Sequence, residues 1–273
     1  MHPTLRSAVL AILLVIMSAA ARAEITLCTT IAALPHTITA PGIYCLKNSL
    51  NAAGNAITVN ADDVVLDLNG HALNGNGTGV GVGAADRSRV TVRNGTIRGF
   101  VSGVQLTTTG KSEGHVVEDL RLEANRSVGV EADGRGVVVR NNLIIGTGTG
   151  AGSGVFTIGI FVNGGSGAHV HDNQIVDMSA ANDGEADAIR VFKSPGTSVQ
   201  RNVVSNSFSA GPISYGITFV ASAGNTAVGN RVYNMAHGIA FSLGGGLYMD
   251  NTVGGAASPY AGGTAAGGTN FVF

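Results

Sequence analysis

Val90–Ile97 reads VTVRNGTI, and the phrase returns along the chain as VVVRNNLI (Val137–Ile144), VHDNQIV (Val170–Val176), VQRNVV (Val199–Val204), VGNRV (Val228–Val232) and MDNTV (Met249–Val253). Each copy carries an Asn after a Val-rich run and before another aliphatic residue. The slots are Asn94, Asn141, Asn173, Asn202, Asn230 and Asn251, with Asp119 filling the place in VVEDLRL. Successive slots lie 25, 22, 32, 29, 28 and 21 residues apart. A repeat of 20 to 50 residues marks a solenoid. Alternating β-branched residues with Gly, Asn or Asp at every turn exclude two-helix repeats and make each coil a set of short strands. Asn suits the turn because it tolerates a left-handed backbone and its amide can bond to neighbours, so stacked amides are expected to form a ladder.

A second series lies between these phrases: GVGVG (Gly79–Gly83), GVQL from Gly103, GVEA from Gly129, GIFV from Gly159, AIRV from Ala188, GITF from Gly216 and GIAF from Gly238. Two or three strands per coil, stacked on their equivalents, give parallel sheets around a dry interior.

The repeats resemble those of the right-handed parallel β-helix proteins of the pectate-lyase-like superfamily. The resemblance covers about residues 56–255, and ADDVVLDLNGHALNG (Ala61–Gly75) followed by VTVRNGTIRGF (Val90–Phe100) is similar to that group's opening coils. It implies an all-β, single-stranded right-handed parallel β-helix of about eight coils. That superfamily includes pectate and alginate lyases, polygalacturonases, epimerases and noncatalytic modules, and one fold hosts many functions.

Residues 1–23 have the pattern of a secretory signal: a positive start at Arg6, an apolar run over Ala8–Met17 and a small-residue cleavage site at Ala21-Arg22-Ala23. No transmembrane segment is expected after cleavage, and the mature chain is expected to be periplasmic or extracellular. The whole chain has 16 Lys and Arg against 17 Asp and Glu; losing Arg6 and Arg22 takes the formal charge from −1 to −3. That balance argues against a nucleic-acid partner. Cys28 and Cys45 are the only cysteines, and an exported protein permits them to pair. Residues 24–55 are expected to be an N-terminal cap, 56–255 the β-helix, and 256–273 a Gly/Ala-rich tail.

Vertical stacking turns aligned positions into spatial neighbours about 4.8 Å apart. The position before the Asn slot collects Asp67, Arg93, Glu118, Arg140, Asp172, Arg201, Gly229 and Asp250, alternating signs expected to form a surface ion-pair ladder. In the second series the outward residues are Gly81, Gln105, Glu131, Phe161, Arg190, Thr218 and Ala240, with Asp133, Asn163 and Lys193 beside them. The acidic stretch MSAANDGEADA (Met178–Ala188) leads into the Arg190 strand.

These residues make the candidate site. Chemistry on a uronic acid needs neutralisation of the carboxylate, a base for the C5 proton and an acid for the leaving oxygen. Arg190 and Lys193 would supply cation and base. Asp183, Glu185 and Asp187 would hold a hard cation such as Ca²⁺. Phe161 would carry a sugar ring, with Asp133 and Asn163 as further substrate contacts. A competing hydrolase assignment pairs Glu131 or Asp133 with Asp187 as acid and base. His169 and His171 share one strand face, a spacing compatible with a metal but lacking a third ligand.

The function expected is a polysaccharide-associated protein, a lyase or epimerase acting on an acidic polysaccharide. The alternative is a noncatalytic envelope or surface module that binds glycan or a protein partner.

Overall fold

A computed structural model describes residues 27–149, 156–181, 184–208 and 211–273. The signal-like segment 1–23 and Asp183 lie outside them. Among the described residues there is no α-helix, and none is long and apolar enough to cross a membrane. Strands stack in parallel into a 19-stranded sheet, sheet A, and a ten-stranded sheet, sheet B, which together wind through about nine turns. In most coils sheet A is bent in two: one limb precedes the Asn phrase's turn and the other follows it.

Three aliphatic columns fill the interior. Leu66, Val92, Val117, Val139, Val170 and Val199 stack along one limb of sheet A. Leu73, Ile97, Leu122, Ile144, Ile175, Val204 and Val232 stack along the other. Val104, Val130, Ile160, Ile189, Ile217 and Ile239 face them from sheet B. All are buried. Each such side chain taken from water stabilises the fold by about 1.5–3 kcal/mol.

The coil extends on both sides of 56–255. Within 24–55, Thr29–Ile31 and Gly42–Leu46 pair with each other, and Gly42–Leu46 pairs in turn with Val64–Asp67. Within 256–273, Ser258–Ala261, Thr264–Ala265 and Phe271–Val272 each pair with the rung below. Cys28 and Cys45 form a disulfide, Cα to Cα 5.8 Å across a separation of 17 residues. A loop of that length is worth about 3 kcal/mol on the chain-entropy account. Reduction, or the C28S/C45S pair, should lower the thermal midpoint by several degrees while leaving the far-ultraviolet spectrum of the remaining coils unchanged.

The register corrects two sequence expectations. Pairing places Arg140 beside His171 and Leu143 beside Gln174, so Asn142, and not Asn141, shares a column with Asn173. The two properties that favour Asn at this turn therefore fall on adjacent residues. The left-handed position is held by Asn94, Asp119, Asn141, Asp172, Arg201, Gly229 and Asp250, with φ between 51° and 65°. The amide ladder is the next column, Asn142, Asn173, Asn202, Asn230, Asn251 and Asn270. Within it each backbone N–H and each Nδ2 from Asn142 to Asn251 donates to Oδ1 of the following Asn at 2.9–3.3 Å. The paired Asn141-Asn142 in VVVRNNLI conceals the one-residue offset.

The same offset divides the charge column. Arg93 meets Asp67 at 3.0 Å, Arg140 meets Glu118 at 2.6 Å and Arg201 meets Asp172 at 2.7 Å, as three separate pairs and not a continuous ladder.

Candidate functional site

The outer face of sheet B carries the candidate residues. Its pairing skips one residue in most coils, at Gly103, Gly129, Gly159, Ala188, Gly216 and Gly238. These residues face inward under the next coil: a Cβ on Gly129 would lie 2.5 Å from the carbonyl oxygen of Gly159, and one on Gly216 would lie 2.3 Å from Val232. The skip brings the residue just before it and the residue three further on to the same outer face, as two parallel columns.

One column runs Gly83, Gln105, Glu131, Phe161, Arg190, Thr218, Ala240. It matches the outward series read from sequence from Gln105 onward, with Gly83 in place of Gly81. The other column is Ser102, Val128, Ile158, Asp187, Tyr215, His237 and Ser258. Sequence reasoning assigned Asp187 but missed Tyr215 and His237. Their signal lay in the phrases Y-G-I-T and H-G-I-A: each stands immediately before the skipped glycine, where Asp187 stands before Ala188.

Arg190 is the centre of the site. Its Nη1 donates to Oε1 of Glu185 at 2.6 Å and to Oδ2 of Asp187 at 3.0 Å, and its guanidinium lies 4.8 Å above the ring of Phe156. Both carboxylate contacts use Nη1. Nε and Nη2 therefore remain as donors without a partner among the described residues. Asp187 is fully buried beneath the guanidinium, whereas Glu185 is partly open. Burial pushes the Asp187 carboxyl up to about 7; neighbouring Glu185 pushes the same way, and Arg190 opposes both.

Tyr215 and His237 stack on the next two rungs, ring centroids 4.5 Å apart. Burial, Glu185 and Asp187 all raise the Tyr215 phenol, so it holds its proton at neutral pH. Phe156 and Ile213 flank Glu185 on adjacent rungs and are 40% and 45% exposed, making an apolar rim.

The other assigned residues fall elsewhere on the face. Lys193 sits on the turn after the strand with Nζ 5.0 Å over the Phe192 ring. Phe161 stands between Glu131 and Arg190 in their column, so Glu131 and Arg190 are two rungs, about 10 Å, apart. Gln105 donates to Glu131 at 2.8 Å. Asn163 follows Phe161 on that strand, and Asp133 lies at the end of the Glu131 strand, buried under Thr108, whose N–H faces Oδ2 at 3.4 Å. Burial and Glu131 push Asp133 up to about 7.

Of the carboxylates assigned to Ca²⁺, Oε1 of Glu185 and Oδ2 of Asp187 are engaged by the Arg190 guanidinium, while Oδ1 of Asp187 is buried without a partner among the described residues. No three His, Cys, Asp or Glu are grouped as a metal site among the described residues. His169 and His171 lie on sheet A, where His171 meets Asp172 at 2.7 Å.

A carboxyl raised in the folded state releases its proton more readily on unfolding, so the native protein binds more protons than the unfolded chain between about pH 4 and 7, and stability falls as pH rises through that window. Asp133→Asn removes one such group. Its melting temperature should gain on the parent steadily from pH 4 to pH 7 and hold that gain above, as read by thermal denaturation across the series.

No protein-family model matches the chain, and no curated protein matches it in sequence. Among solved structures it is similar to a lacto-N-biosidase from Eubacterium ramulus, with 10% identity over 87% of this chain and 60% of that one, TM-score 0.52. It is also similar to a variant of the DFA-IIIase from Arthrobacter chlorophenolicus in complex with DFA-III, with 10% identity over 86% and 59%, TM-score 0.52. An alginate lyase from Paenibacillus aligns at 14% identity over 87% and 97%, TM-score 0.47. This chain thus spans about three-fifths of the length of the first two proteins. With its coils in parallel register around an aliphatic interior, the chain has the right-handed parallel β-helix fold.

Proposed function

We propose that this chain is an exported polysaccharide lyase or epimerase acting on uronate-containing chains laid across the outer face of sheet B. One observation carries the proposal: a guanidinium fixed by two carboxylates through a single nitrogen, with no partner for its other donors among the described residues, beside a stacked Tyr–His pair. The free edge of Arg190 suits a planar carboxylate. Pairing there stabilises the charge that develops on the uronate as the C5 proton leaves.

His237 is the base that takes the C5 proton. In elimination the C5–H electrons form the C4–C5 double bond, the C4–O bond breaks, and the departing oxygen takes the Tyr215 proton. In epimerisation the C4–O bond stays intact and C5 instead takes the Tyr215 proton on its opposite face. Asp187, fully buried, touches neither substrate nor reacting atoms and positions Arg190. Phe156 and Phe161 offer apolar surface to sugar rings. The Cys28–Cys45 disulfide supports an oxidising compartment.

The test is incubation of the protein with uronate polymers, both all-uronate chains such as pectate and alginate and mixed polymers such as gellan, with and without Ca²⁺. Unsaturated product by ultraviolet absorbance, or altered uronate composition by NMR, supports the proposal. Tyr215→Phe should then lower kcat by about 100-fold, the usual scale of a lost general acid. Binding without turnover would assign the face to a noncatalytic glycan module instead. Absence of both binding and turnover would defeat the proposal.

A further inference from the structure

The column that holds Arg190 changes character along its length. Toward the N-terminal coils it passes from the cation through Phe161 to Glu131, Gln105 and Gly83. Glu131 has the Gln105 amide as partner and no cation paired with it among the described residues. Next to it is an uncharged hollow of about 170 Å³, its lining part apolar, at Ile57 and Val80, and part polar, at Asn55, Gln105 and Thr107, with Gly83 among them.

Gly83 is unlike the skipped glycines. A Cβ there would meet Val80 at 3.6 Å and the Gln105 carbonyl at 4.0 Å, ordinary contact distances, and its φ is not in the left-handed region. Neither packing nor backbone demands a glycine, and a larger side chain there would take up space in the hollow. A uronate carboxylate set against Glu131 would meet a like charge without a counter-ion. The hydroxyls of a neutral sugar would find acceptors in Glu131 and in the side-chain oxygen of Gln105; Oδ1 of Asn55 already accepts from the Val80 N–H at 3.0 Å.

We infer that the face selects a mixed polysaccharide, with a uronate over Arg190 and a neutral sugar two to four rungs away over Glu131, Gln105 and Gly83. The spacing is about 10–19 Å along the coil axis. The inference rests on the proposal that Arg190 receives the uronate and specifies what lies beside it.

The experiment compares binding by calorimetry to pectate and polymannuronate, which are homopolymers of uronates, with gellan and hyaluronan, in which uronates are separated by neutral sugars. At least one mixed polymer should bind tenfold or more tightly than either homopolymer. Gly83→Val should fill the hollow and weaken that binding about tenfold without lowering the melting temperature, while leaving affinity for a short oligouronate unchanged. Glu131→Gln should narrow the gap by improving homopolymer binding. Homopolymers binding as tightly as both mixed polymers, or Gly83→Val without effect on mixed-polymer binding, would overturn the inference. In that event the Arg190 proposal would survive if Arg190→Gln still weakened every uronate polymer. Loss of no binding in Arg190→Gln would instead sink the proposal beneath it, and the inference with it.

Discussion

Replacing Asn202 with Ala should destabilise the protein by about 3 kcal/mol or more, enough to lower the denaturant midpoint substantially, with little change in m. Asn202 is buried, and its amide is used on both sides. Oδ1 accepts from the N–H and Nδ2 of Asn173, while Nδ2 donates to the Val170 carbonyl and to Oδ1 of Asn230. Truncation leaves several polar groups without partners in a dry bend, and each buried unsatisfied group costs about 1–3 kcal/mol. The neighbouring Arg201 is the control. It sits at the left-handed position of the same turn with its guanidinium largely in water against Asp172. Arg201→Asn, which suits the left-handed backbone and removes only an exposed ion pair, should leave the transition almost unmoved. Equal effects from the two changes would mean that the amide ladder carries no special stability.

That contrast shows what was legible in the sequence. The return of Asn after a Val-rich run exposed the coil, its stacking direction and its period, because a solenoid repeats its physical environment once per turn and must repeat its residue types with it. One-residue register was not legible at VVVRNNLI, where Asn141 and Asn142 each satisfy the pattern and only backbone pairing separates the left-handed residue from the buried amide. The outer column of sheet B was legible from Gln105 to Ala240 because one side chain per coil alternates cleanly after the glycine. The companion column was not, since the inward skip breaks two-residue alternation and hides Tyr215 and His237 on the outer face. The clustering of Glu185, Asp187 and Arg190 could be read as proximity. Their closure onto one guanidinium nitrogen depends on side-chain directions that sequence spacing does not specify.

The second large effect is expected at Arg190. Arg190→Gln should abolish most turnover on a uronate polymer, since the carboxylate loses its cation, and should also destabilise the protein in a pH-dependent way. Asp187 is buried with Arg190 as its cationic partner. Removing one member of a buried pair costs about 3–5 kcal/mol when the other stays charged. Protonation offers Asp187 a way out, and its carboxyl already stands at about 7 with the guanidinium present. Without that cation it moves higher still, because the one influence holding it down is gone. The loss should therefore be small near pH 5, where Asp187 is neutral in the folded protein, and should grow as pH rises above 7. Adding Asp187→Asn should restore stability at pH 8 without restoring turnover. Chemical denaturation of the single and double variants at both pH values, set beside product formation, separates the two roles of Arg190. A loss of stability relative to the parent that is equal at pH 5 and pH 8 would show that Asp187 does not depend on the guanidinium, and rescue of turnover by the double variant would show that the uronate does not either.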